Sequence, residues 1–104
     1  MKSRIRLGVL LCILITASIH LYLAVTADLP MFYANALGYI ALGAAYAHIG
    51  IPISRERATL LLKVYTMLTI GLWLVFGAHT MIAYSAKVVE VVLVGLLLIE
   101  QRID

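Results

Sequence analysis

One cysteine, two prolines and a charged fraction of only 12% in a chain of 104 residues leave few chemistries open. Cys12 has no partner within the chain, which excludes an internal disulfide framework and a cysteine-based metal site. No glycine-rich phosphate loop, no Gly-x-Ser-x-Gly elbow and no His-Glu-x-x-His pair is present, so no catalytic signature is written in the chain. The expectation is a non-enzymatic protein without a bound cofactor. So few charges cannot cover a water-soluble surface, and a net charge of +3 matters here by where it falls, not as a nucleic-acid footprint.

What the chain has in abundance is apolar side chain, 64% against about 45–50% in an average soluble domain. Four apolar stretches stand out, 5–25, 31–51, 58–77 and 81–99. Each is near the ~20 residues that cross a hydrocarbon core of about 30 Å as a helix. Only helices satisfy their own backbone hydrogen bonds in lipid without closing a barrel. The breaks fit: Pro30 suits a first helical turn, Ser54 and Thr80 suit N-caps, and Gly50 and Pro52 punctuate the end of the second stretch. The first stretch follows a basic start like that of a signal peptide, but it is long enough to span and is expected to remain in place.

Lys2, Arg4 and Arg6 precede the first stretch, Arg55 and Arg57 lie between the second and third, and Arg102 follows the fourth, whereas the other two connections have no Lys or Arg. Basic residues mark the cytoplasmic side. Short connections force antiparallel neighbours, so the expected fold is all-α, a membrane-spanning up-down four-helix bundle in the plasma membrane with both termini cytoplasmic and lipid as its solvent. Within the second stretch, Ala34 and Gly38 form one small-xxx-small pair and Gly43 and Ala47 another, which marks it as the most buried helix or as one that faces a partner subunit.

The polar residues inside these stretches are the candidate site. Glu90 falls near mid-bilayer, where a charge costs about 2.5–3.5 kcal/mol, so it must be paired or neutral. Lys87 stands three residues away on the same helical stripe and supplies a partner. Helix-rise arithmetic brings His20 and Asn35 to a similar depth, and Tyr39 and Tyr84 are placed to close the cluster with hydroxyl groups. Such a group either relays a proton, hydrogen-bonds a quinone carbonyl or simply ties helices together. Lys63 is expected to snorkel to the basic end rather than to point toward Glu90. A bis-histidine haem is not expected, because His20, His48 and His79 lie at unmatched depths, and no metal-ligand spacing occurs. Tyr22, Phe32, Tyr33, Trp73 and Phe76 read as interfacial anchors.

The order His20-Leu-Tyr-Leu, Pro30 to Gly38 (PMFYANALG), Ser54 to Lys63 (SRERATLLLK) and Val88 to Arg102 (VVEVVLVGLLLIEQR) resembles a group of small four-helix membrane proteins of archaea and actinobacteria. That resemblance implies the bundle fold and singles out His20, Asn35 and Glu90, but implies no activity. The chain is unlike small multidrug-resistance exporters, which carry their essential carboxylate in the first helix, where this sequence has no acid. The leading functional expectation is a non-catalytic accessory subunit of a larger membrane complex, such as a respiratory oxidase or oxidoreductase. The alternatives are a proton-coupled small transporter or channel using the Glu/Lys/His cluster, and a quinone-binding membrane protein.

Overall fold

The computed structural model describes residues 2–26, 30–76 and 80–102. The fold is all-helical: α1 (Lys2–Thr26), α2 (Met31–Tyr46), α3 (Arg55–Phe76) and α4 (Met81–Arg102). Each helix packs on the two that flank it, with α1 seated most extensively against α4 and α2, while the diagonal pairs α1/α3 and α2/α4 bring no backbone together. This is an up-down four-helix bundle, elongated to 41 × 25 × 20 Å. A bond from Arg6 to Glu100 puts the start of α1 beside the end of α4.

Helices α3 and α4 begin where side chains satisfy open N–H groups. Ser54 Oγ accepts from Arg57 N–H at 3.2 Å and Thr80 Oγ1 from Ala83 N–H at 3.3 Å. Pro30, with φ −58°, lies just ahead of α2 in helical geometry. The interior is filled by Val9 and Ile13 from α1, Tyr39 and Tyr46 from α2, Leu62 from α3, and Leu93 and Leu97 from α4. Outside, the surface carries a continuous apolar coat, including Leu11, Leu14, Leu37, Ile40, Val64, Leu68, Leu72, Val88 and Val91, all exposed. Such a surface fits hydrocarbon rather than water.

Among the described residues three helices are long and apolar enough to cross a membrane, Ser3–Thr26, Arg55–Val75 and Met81–Arg102. The second stretch departs from its expected extent of 31–51: α2 stops at Tyr46. The cause is local. Ile49 N–H bonds Ala44 C=O at 2.8 Å and His48 N–H bonds Ala45 C=O at 3.2 Å, with His48 in the left-handed region at φ 61°. That is a Schellman stop, and it places a histidine where glycine is usual. The following residues, with Gly50 at φ 75°, run across the bundle end, and Ile51 and Ile53 fold back onto the core. The other helices run one to three residues past their expected bounds, except that α3 closes one residue short of position 77.

Nor is α2 the most buried helix: five of its 16 residues are buried, a share that the seven buried residues among the 22 of α4 match. Its small residues serve two different neighbours. A Cβ on Gly43 would come to 3.1 Å from Ile13 of α1, and one on Gly38 would lie 2.6 Å from Cζ of Tyr65 on α3. Ala34 is exposed and Ala47 half-buried, so each pair works through its glycine. Tyr65 has no room to retreat, because its hydroxyl donates to Asn35 C=O at 2.9 Å.

Gly38→Ala is therefore expected to cost about 1–3 kcal/mol by forcing α3 off α2. Gly71, where an added Cβ meets nothing within 4 Å, is the matched control. Gly71→Ala should be neutral or stabilising by up to about 1 kcal/mol. Unfolding of both variants in detergent, followed by circular dichroism, checks the opposite signs.

Candidate functional site

A carboxylate inside an apolar bundle must find donors, and α4 carries two such groups. Glu90 has no solvent exposure, and Glu100 is buried at 6%. Each is closed by one cation and one tyrosine. Glu90 Oε1 receives Lys87 Nζ at 2.6 Å, and Glu90 Oε2 receives the Tyr39 hydroxyl. Glu100 Oε2 receives Arg6 Nε at 2.6 Å, and Glu100 Oε1 receives the Tyr46 hydroxyl at 2.5 Å. At 1.5 Å of rise per residue the two layers lie about 15 Å apart along α4.

The tyrosine bonds have a particular geometry. Because α2 and α4 are diagonal partners, Tyr39 and Tyr46 reach through the centre of the bundle to close them. The two tyrosines are seven residues apart, which returns them to nearly the same face of α2. The Lys87 ammonium is further held over the Trp73 ring at 5.9 Å. Arg55 lies over the Tyr46 ring at 5.7 Å and donates from Nε to Tyr46 C=O at 3.2 Å.

Of the six residues expected to form one polar cluster, three make direct bonds to each other: Lys87, Glu90 and Tyr39. His20 is buried beside them, its ring 6.0 Å from that of Tyr39 and edge-on to Phe32 at 5.5 Å. Its Nδ1 donates to Thr16 C=O at 2.7 Å, which fixes the tautomer when the ring is neutral and leaves Nε2 as the acceptor. His20 is within electrostatic reach of Glu90 and Lys87 without bonding either. Asn35 belongs to a separate seam with α3, donating from Nδ2 to Thr69 Oγ1 at 3.3 Å. Tyr84 is exposed and contacts Trp73 edge-on at 5.1 Å, the indole over which the Lys87 ammonium is held. Trp73 and Phe32, expected as interfacial anchors, are thus contacts of the buried site, whereas Tyr22 and Tyr33 are exposed as anchors should be. Lys63 turns to the basic end and donates to Gln101 Oε1 at 2.7 Å.

Two buried oxygens in this region have no hydrogen-bond partner among the described residues, Thr66 Oγ1 and Asn35 Oδ1. Thr66 flanks the Tyr39 hydroxyl, and the Tyr39 and Tyr65 rings meet edge to face at 4.9 Å. Among the described residues no group of three or more His, Cys, Asp or Glu side chains has metal-binding geometry. His48 is exposed at the end of α2, far along the bundle from His20, and His79 lies outside the described residues.

The second layer, Arg6, Tyr46, Arg55 and Glu100, was not anticipated from the sequence. Ending the fourth helix at 99 put Glu100 beyond it, whereas α4 runs to Arg102 and carries Glu100 into the bundle. The seven-residue step from Tyr39 to Tyr46 was the available signal.

The unequal burial of the two layers sets an order of stability effects. Lys87→Met leaves Glu90 without its cation and is expected to cost about 3–5 kcal/mol, as is typical when one member of a buried pair is removed. Lys87→Met with Glu90→Gln should recover most of that loss, since glutamine still accepts from Tyr39. Arg6→Gln, at a side chain 34% exposed, should cost less, since solvent screens its charge. Denaturant midpoints of the three variants in one detergent decide the order. Comparison of the chain with protein-family models, curated proteins and solved structures finds no match, so the functional reading rests on this geometry.

Proposed function

We propose that the protein is a non-catalytic, multi-pass subunit of the plasma membrane that joins a larger membrane assembly by helix packing, a respiratory oxidase or oxidoreductase complex being the kind of host that suits it. The observation that carries the reading is a groove of about 220 Å³ on the outer face between α1 and α2. Its floor is Ala17, Ser18 and Ala36, and its walls are Leu14, Leu21 and Leu37. A floor of small residues lets another helix approach closely, which is how transmembrane helices associate when lipid offers no hydrophobic drive. The closure of both buried carboxylates by groups of the same chain supports the reading as well. In the proposed orientation the end carrying Arg4, Arg6, Arg55, Arg57 and Arg102 is cytoplasmic, following the distribution of basic residues.

Ser18 is exposed and lies in the groove, so Ser18→Trp fills it from outside. The variant should keep its helical content yet lose larger membrane subunits that co-purify with the wild-type chain in mild detergent. Recovery of the wild-type protein only as a free monomer would overturn the proposal.

One observation favours a second reading, proton-coupled transport. Thr66 Oγ1, buried beside the Tyr39 hydroxyl that bonds Glu90 and without a hydrogen-bond partner among the described residues, is the kind of site that ordered water occupies along a proton path. That reading expects a proton flux in liposomes that falls at least tenfold in Glu90→Gln; equal flux in both proteins would remove it.

A further inference from the structure

A cavity unrelated to the groove lies at the basic end. It measures about 590 Å³ and opens between α1, α3 and α4, lined by Arg6, Arg55, Glu56, Thr59, Glu100 and Gln101, with Leu60 at its edge. Both guanidinium groups are held in place by the protein through Nε, Arg6 on Glu100 and Arg55 on Tyr46 C=O. The Arg6 guanidinium also meets the Tyr46 hydroxyl, which itself bonds Glu100, whereas Arg55 bonds from its Nε. A guanidinium presents five N–H donors in a fixed fork, so each arginine keeps donors for another acceptor. Arg55 has no carboxylate within ion-pair distance among the described residues; its charge faces an aromatic ring and a carbonyl.

The opposite sign is present too. Glu56 stands in the first turn of α3, exposed at the cavity, and Gln101 adds a side-chain amide. A ligand suited to these walls carries a phosphate and a nearby hydroxyl or ammonium group. The cavity also continues onto an apolar track. Leu60, Val64, Met67 and Leu68 are exposed on one side of α3, spaced by three or four residues and leading from the cavity edge toward the bundle middle. A polar pocket at the membrane interface joined to an apolar strip along a spanning helix matches an amphiphile and not a free ion.

We propose that this cavity binds a phospholipid head group, with the phosphodiester held by the NH₂ groups of Arg6 and Arg55, the pendant hydroxyl or ammonium group turned to Glu56 and Gln101, and a hydrocarbon chain lying along Leu60, Val64 and Leu68. This site goes beyond the proposed subunit role, and its test needs no partner.

Native mass spectrometry of the protein in a mild detergent, titrated with short-chain phosphatidylglycerol, reads the binding directly. The wild-type chain should retain one lipid. Arg55→Gln should weaken retention at least tenfold, and Gln101→Trp, which fills the cavity without replacing either arginine, should do the same. Arg57→Gln removes an exposed basic residue of the same end that does not line the cavity, and should leave retention within twofold. Circular dichroism confirms that each variant is helical; should Arg55→Gln unfold, Gln101→Trp carries the test alone. Retention unchanged by Gln101→Trp, or lowered equally by Arg57→Gln, would overturn the proposal. So would displacement of the lipid by inorganic phosphate at equal concentration, since that identifies a phosphate site without a requirement for the chain.

Discussion

An ionised carboxylate in a low-dielectric interior is tolerable only if donors surround it, and Glu90 meets that demand twice over, from Lys87 on its own helix and from Tyr39 across the bundle. The first contact is local and would form on an isolated helix. The second sets the tertiary structure, because a tyrosine of α2 can reach a glutamate of α4 only when the bundle is closed to a particular diameter and α2 is rotated to face its axis. Replacing such a pair by well-packed apolar side chains is often neutral or stabilising in other proteins. What the pair supplies instead is selectivity among rotations and registers of helices whose outer faces are uniformly apolar.

The lower layer repeats the device with different pieces. Arg6 comes from α1 rather than from α4, so the bonds of Glu100 tie three helices, α1, α2 and α4, where those of Glu90 tie two. Arg55 extends this layer to α3 through the Tyr46 ring and carbonyl. Between the layers the contacts are apolar, through Leu93, Leu97 and Leu62. Helix α3 is bound chiefly by its seam with α2, where Asn35, Thr69 and Tyr65 share hydrogen bonds and Gly38 gives the Tyr65 ring its place.

Much of this was legible in the sequence because lipid exposure makes simple demands. Apolar length gave the helices, Ser54 and Thr80 their starts, and the Lys87 to Glu90 spacing the upper ion pair. Depth along a helix could be counted, but rotation about its axis could not. Asn35 and Tyr84 sit at heights compatible with Glu90, yet one turns to α3 and the other outward. Helix ends were the other weak point. An apolar run continuing through His48, Ile49 and Ile51 reads as more helix, since nothing in its hydropathy announces that a histidine will take the left-handed conformation; the same uncertainty at the far end of α4 hid Glu100.

The early stop of α2 has a consequence for the surrounding lipid. At about 24 Å this helix is shorter than a hydrocarbon core of about 30 Å, whereas its neighbours α1 and α3 exceed that thickness. One flank of the molecule therefore asks the bilayer to pinch inward while the others do not. Such a lopsided dimple stores elastic energy in the lipid, and that energy falls when a second protein with a matching short flank shares it, a mutual attraction that requires no complementary side chains.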